Sequence, residues 1–251
     1  MILEPSLPFG RRRGTALAGL LIALAVYGAI ARHLPGLPSG LDVVFHAVVV
    51  FPAFAAAIWL ALPLAQEATV RLLVLAAAAG GLALVLTFLG VGSVANVAKL
   101  ACYALIGFCF LTLFEELWWI ALVAVLVPWV DIWSVAAGPT EYVVEERPGI
   151  FERVAVGFPT PGETATVSLG PPDVIFFALF LAAADRFRLR VAGTWIGMSA
   201  CLAGTLVLVW AWDDVAGLPA LPAICVGFLL PNADLLWRDA RRARAGPTEA
   251  G

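Results

Sequence analysis

The sequence predicts an all-α fold, a polytopic transmembrane bundle of about eight helices, and three observations lead there. Of the 251 residues, 62% are hydrophobic and 13% charged, about half the charged share of a soluble domain. Mean hydropathy is +0.97. Apolar runs of roughly 20 residues recur along the chain, and at ~1.5 Å per residue each can cross a hydrocarbon core. Little chain is left for a soluble unit, so residues 1–251 read as a single membrane domain.

The runs are bounded by Pro, Gly or charge and fall at 14–32, 42–64, 70–90, 95–113, 116–137, 168–185, 191–212 and 218–237. The first follows Arg11, Arg12 and Arg13, but it is long and lacks a small-residue cleavage site, so it reads as a helix rather than a removable signal. Residues 1–94 supply helices one to three, residues 95–237 helices four to eight, and 238–251 a tail. Most connections are short, as between antiparallel neighbours: Gln66-Glu67, Glu115-Glu116, and Asp185 to Arg190. The loop at 138–168 is the exception. It contains two β-prone stretches, Tyr142–Val144 and Thr164–Leu169, separated by Pro148, Gly149, Pro159, Pro161 and Gly162. A β-hairpin is expected there, with a solvated acidic loop carrying Glu141, Glu145, Glu146, Glu152 and Glu163 as the competing reading.

Lys and Arg accumulate on the cytoplasmic side of membrane proteins. With the amino terminus inside, Arg11, Arg12, Arg13, Arg71, Arg186, Arg188, Arg190, Arg238, Arg241, Arg242 and Arg244 face inward, against Arg32, Lys99, Arg147 and Arg153 outward, eleven to four. Both termini are therefore expected in the cytoplasm and the 138–168 loop outside. Trp118, Trp119, Trp195, Trp210, Trp212 and Trp237 lie near helix ends, as rings at the headgroups do. Gly80-Gly81 permit close helix approach. Cys102, Cys109, Cys201 and Cys225 sit within apolar runs and are expected to pack as small hydrophobes. No metal or cofactor is implied, and scattered basic residues with a net charge of −3 give no footprint for nucleic acid.

A charge inside the bilayer costs about 2.5 to 3.5 kcal/mol on insertion scales, so it persists where it is paired, solvated by a cavity, or used. Asp131 interrupts the fifth run in Pro128-Trp129-Val130-Asp131-Ile132-Trp133, and Asp173 lies equally far into the sixth from the same loop. Helices joined by one loop run antiparallel, which puts both residues at equal depth, about 8 to 10 Å below the surface. Two carboxyls that meet in a poor dielectric share one proton. The ionised partner can then take a proton from an attacking water while the protonated one hydrogen-bonds the peptide carbonyl. On spacing alone, each Asp also fits an isolated polar residue lining a water cavity or tying helices together.

Three ordered motifs bear on that choice: Val130-Asp131, Gly170-Pro171-Pro172-Asp173 and Pro219-Ala220-Leu221. Over roughly residues 95–232 they resemble the presenilin and signal peptide peptidase family of intramembrane aspartyl proteases. That family has Tyr-Asp in one helix, Gly-x-Gly-Asp at the start of the next and Pro-Ala-Leu opening the last. The stretch from Leu169 to Phe176 keeps the family's Leu-Gly-x-x-Asp-x-Ile-Phe frame, while Val130 replaces its Tyr and Pro172 its second Gly. The resemblance implies catalysis by Asp131 and Asp173, and a substrate site shaped by Gly170, Pro219, Ala220 and Leu221. The loop placed outside is similar to the signal peptide peptidase branch, whose substrates would be single-span membrane proteins or signal-peptide remnants. The family has nine helices, so a count near eight suggests that its first is missing.

A substrate helix must unwind to be cut, and pairing with an edge strand would satisfy its freed backbone groups; Thr166–Leu169 is the expected edge. Among other polar residues, His46 is expected to pack or bond to backbone, Asp234 to pair with Arg238 at i+4, and Asn96 and Lys99 to mark the outer start of the fourth helix. Glu115-Glu116 and Asp213-Asp214 read as interfacial, and the arginines of the tail as contacts to anionic headgroups. Two rival functions remain open: a proton- or ion-coupled transporter using the same aspartates, and a catalytically silent member of the fold.

Overall fold

The computed structural model describes residues 10–38, 40–137, 151, 153–164, 166–211 and 220–245, the side chains of 135–137 and 242–245 excepted. Among them are eight helical segments: α1 Arg11–Ile30, α2 Leu41–Gln66, α3 Thr69–Phe88, α4 Gly92–Leu111, α5 Leu117–Ala137, α6 Pro171–Arg186, α7 Val191–Ala211 and α8 Ala220–Ala245. Seven are long and apolar enough to cross a membrane; α6 is the exception. The eight expected runs thus each contain one helix.

α6 is short because it is the central helix. Val174 and every residue from Phe177 to Ala184 are buried, as in a helix surrounded by protein on all sides. Its neighbours are α4, α8 and α7, with Phe180 stacked on Phe228 of α8 at 4.8 Å. Since lipid is as apolar as these side chains, van der Waals fit and small residues hold such a bundle together. A Cβ on Gly107 of α4 would lie 2.4 Å from the Ile175 carbonyl oxygen, so only glycine lets α4 come this close to α6. Of the expected pair, Gly80 does face α4, through Cys102, whereas Gly81 meets nothing.

The basic residues of the turns close helix ends. Arg13 donates to the carbonyls of Leu60, at 3.1 Å, and Trp59 near the end of α2, and Arg186 to Leu111 O, 2.9 Å away, at the end of α4. The carbonyl-rich end of a helix carries partial negative charge and favours such cations. Asp234 pairs with Arg190, at 2.5 and 2.9 Å, rather than with Arg238. The turn before α7 brings Arg190 onto α8, where it also meets Pro231 O, and an intrahelical pair offers no such second acceptor. Trp195, near the start of α7, packs half-buried against Trp59 at 5.3 Å. All four cysteines are free thiols.

A hairpin is present, and its second strand lies within the expected Thr164–Leu169 stretch. β1 is Val156–Pro159 and pairs antiparallel with β2, Thr166–Leu169, in the register Val156 to Leu169. Tyr142–Val144 lies outside the described residues. Three helices grip β1. Asn96 of α4 donates to Gly157 O at 3.0 Å and accepts from Gly157 N at 3.3 Å. Lys99 reaches Ala155 O at 3.0 Å and Tyr103 reaches Val154 O at 2.7 Å, so both polar residues of α4 hold the hairpin as well as marking a helix start. Tyr27 of α1 donates to Pro159 O, and the buried His46 of α2 stands between Asp42 O and Phe158 O. A widened turn at His46–Val50, where Phe51 N–H reaches back to His46 O, aims that ring; Pro52 directly follows. Replacing Asn96 with Ala strands both Gly157 groups, a loss of about 1 to 3 kcal/mol for unpaired buried polar atoms. Trypsin should then cut at Arg153 severalfold faster with helix content unchanged; an unaltered rate would count against the clasp.

Candidate active site

Asp131 belongs to a stripe on α5 at alternating spacings of three and four: Leu117, Ile120 and Ala124 are buried, and Val127 and Asp131 half-buried. This stripe packs on α8, while Trp129, Val130 and Trp133 beside it are exposed. Val130 is 65% exposed, so the position where the family carries Tyr points away from the carboxyl in this fold. Pro128 lacks an N–H, which frees a carbonyl one turn earlier in the same helix.

Asp131 Oδ2 accepts the backbone N–H of Leu221 at 3.3 Å. That N–H belongs to the first turn of α8, where no intrahelical acceptor exists, so α5 supplies a carboxyl oxygen as its acceptor. Ala220 opens the helix half-buried and Leu221 is buried in the core. Pro219 lies outside the described residues.

Asp173 is the third residue of α6 and reaches back to accept the Gly170 N–H at 2.9 Å. Pro171 and Pro172 fill the two positions before it, where the fixed φ suits a first turn and the missing N–H groups have no intrahelical partners. Pro172 is therefore compatible with a helix start, and Gly170 serves as its extended cap residue.

The two carboxyls lie within electrostatic reach of one another, and Asp131 also acts on Cys225. Depth is consistent with this. Asp131 stands about 21 Å along α5 from Leu117, and Asp173 about 20 Å along α6 from Arg186, at 1.5 Å per residue. Each commits one oxygen to a backbone N–H, and among the described residues no hydrogen bond occupies the other.

The sequence reading did not single out Cys225. It stands at i+4 from Leu221, on the same face of α8, a spacing that would have flagged it once Leu221 was placed at the site. Among the described residues no cluster of His, Cys, Asp and Glu is arranged to hold a metal ion. No protein-family model, curated protein or solved structure matches the chain.

Proposed function

We propose that the chain is an intramembrane aspartyl endopeptidase in which Asp131 and Asp173 activate water against a peptide bond of a transmembrane helix. The observation that carries this reading is that Asp131 accepts the Leu221 N–H while Asp173, held by the Gly170 N–H, lies within electrostatic reach of Asp131, although the three segments are far apart in sequence. The same three segments carry the resemblance to presenilin and signal peptide peptidase. Substrates are single-span membrane proteins or signal-peptide remnants, and the arginine bias places both termini in the cytoplasm. One carboxylate takes the water's proton as it attacks; the other, protonated, hydrogen-bonds the carbonyl oxygen as it gains charge.

The hairpin supports the reading from the substrate's side. Gly157 turns its N–H and C=O toward Asn96, away from β2, so its partner Ser168 and the alternate Thr166 turn theirs toward the opposite edge. Pro159 has no N–H and its oxygen meets Tyr27, so the β1 edge is occupied. Among the described residues nothing pairs with the outer groups of Thr166 and Ser168. An unwound substrate can add there as a third strand, two residues before Gly170.

A Ser168→Pro variant removes one outward N–H and leaves the β1 pairing intact. Cleavage of a long substrate should fall about tenfold while melting is unchanged, the scale of one lost hydrogen bond with a loosened neighbour. The reading as a whole is tested with purified protein reconstituted beside a helical reporter. Cleavage supports it, and ion flux without cleavage points instead to a transporter.

A further inference from the structure

A cavity of about 570 Å³ lies between α3 and α4 at the hairpin end, roofed by the chain that enters β1. Its lower wall is Gly80 and Ala83, whose small side chains leave the space open. Leu84 and Phe88, 60% and 77% exposed, stand beside it on the outward face of α3. From Gly80 to Phe88 the wall runs about 12 Å, close to the thickness of one leaflet's hydrocarbon. An acyl chain fits those dimensions.

The polar end of the cavity is cationic. Lys99 and Arg153 line it, and among the described residues no carboxylate does. Lys99 is buried, and among the described residues its ammonium meets only neutral oxygens, Ala155 O at 3.0 Å and Asn96 Oδ1 at 3.5 Å, leaving a third N–H. Arg153 is exposed and directed by the same chain segment. Among the described residues neither cation forms an ion pair; the pairs present are Arg71–Glu67 and Arg190–Asp234. A buried ammonium without a counter-ion is unfavourable, and an incoming anion would supply one. Because α4 side chains lean toward their helix's amino terminus, the Lys99 stem rises toward the hairpin, where a headgroup would sit.

We infer that the cavity is a site for one acidic phospholipid, with its phosphate between Lys99 and Arg153 and one acyl chain in the α3–α4 seam. The site is independent of the aspartate pair. The test is native mass spectrometry of the detergent-purified full chain with phosphatidylglycerol or phosphatidylcholine of identical acyl chains. Wild type should retain phosphatidylglycerol preferentially. At the scale of a basic residue near a membrane surface, Arg153→Gln should cut its retention about fivefold and Arg153→Glu about 25-fold, with phosphatidylcholine unaffected. Arg153 is exposed, so both variants should melt as wild type does without lipid. Equal retention of the two lipids, or a preference that survives Arg153→Glu, would overturn the assignment. So would glycerol phosphate displacing the lipid at matched concentration, because the occupant would then be a small anion.

Discussion

Asp131→Asn and Asp173→Asn should each abolish reporter cleavage, by about 10³-fold or more, while the protein still folds. General acid–base groups contribute on the order of 10² to 10⁴ in rate, and each carboxyl is asked to do work the other cannot do alone. An amide oxygen can still accept the Leu221 N–H or the Gly170 N–H, so the helix starts of α8 and α6 retain their partners. Loss of cleavage with unchanged melting therefore separates chemistry from capping. Alanine at either position removes the cap as well and should lower stability by about 1 kcal/mol. Cleavage surviving either Asn variant would mean that the aspartates serve as caps and the chemistry lies elsewhere.

The second large effect is expected at Gly107. Gly107→Ala puts a carbon 2.4 Å from Ile175 O and 2.8 Å from Ala178 Cβ, both on the central helix. Alanine gains about 1 kcal/mol in helix propensity, but overpacking of this kind typically loses 1 to 3 kcal/mol, and here the first atom struck is backbone. The clash should win and push α6 away from α4. Cleavage should fall along with the melting temperature, because α6 carries Asp173. Gly81→Ala, which meets nothing within 4 Å, is the control and should leave stability equal or slightly higher. Equal behaviour of the two variants would show that α4 and α6 do not approach as described.

The helices were legible because lipid imposes one rule on all of them: about 20 apolar residues, then a boundary. α6 obeyed the apolar part and not the length, since a helix enclosed by protein need not span. The hairpin was legible in its second strand, where Thr166 and Val167 carry β-branched side chains. Its first strand was hidden, because Pro159 read as a breaker and Gly157 has low strand propensity. They are tolerated in β1 because Asn96 takes up the Gly157 groups and Pro159 turns its N-terminal side away from β2. No local pattern announces that.

Equal distance of Asp131 and Asp173 from one loop was readable by counting, and so was the alternating stripe that carries Asp131 into the α8 interface. Leu221 was placed there by resemblance, with its N–H on Asp131 emerging from the fold. Partners chosen by tertiary packing were not readable: Arg190 for Asp234, Trp59 for Trp195, Ala155 for Lys99. Each depends on which helices adjoin, and periodicity along one helix carries no such information.

An aspartate pair that shares one water must be close enough to crosslink, which thiols put in place of both carboxyls can report. With the four native cysteines replaced by Ala, Asp131→Cys and Asp173→Cys are combined and treated with a short bifunctional thiol reagent in the membrane, then cut by trypsin at Arg147 or Arg153. The two fragments should stay joined as efficiently as in a control pairing Asp131→Cys with Leu221→Cys. Fragments that separate while the control remains linked would contradict such a pair.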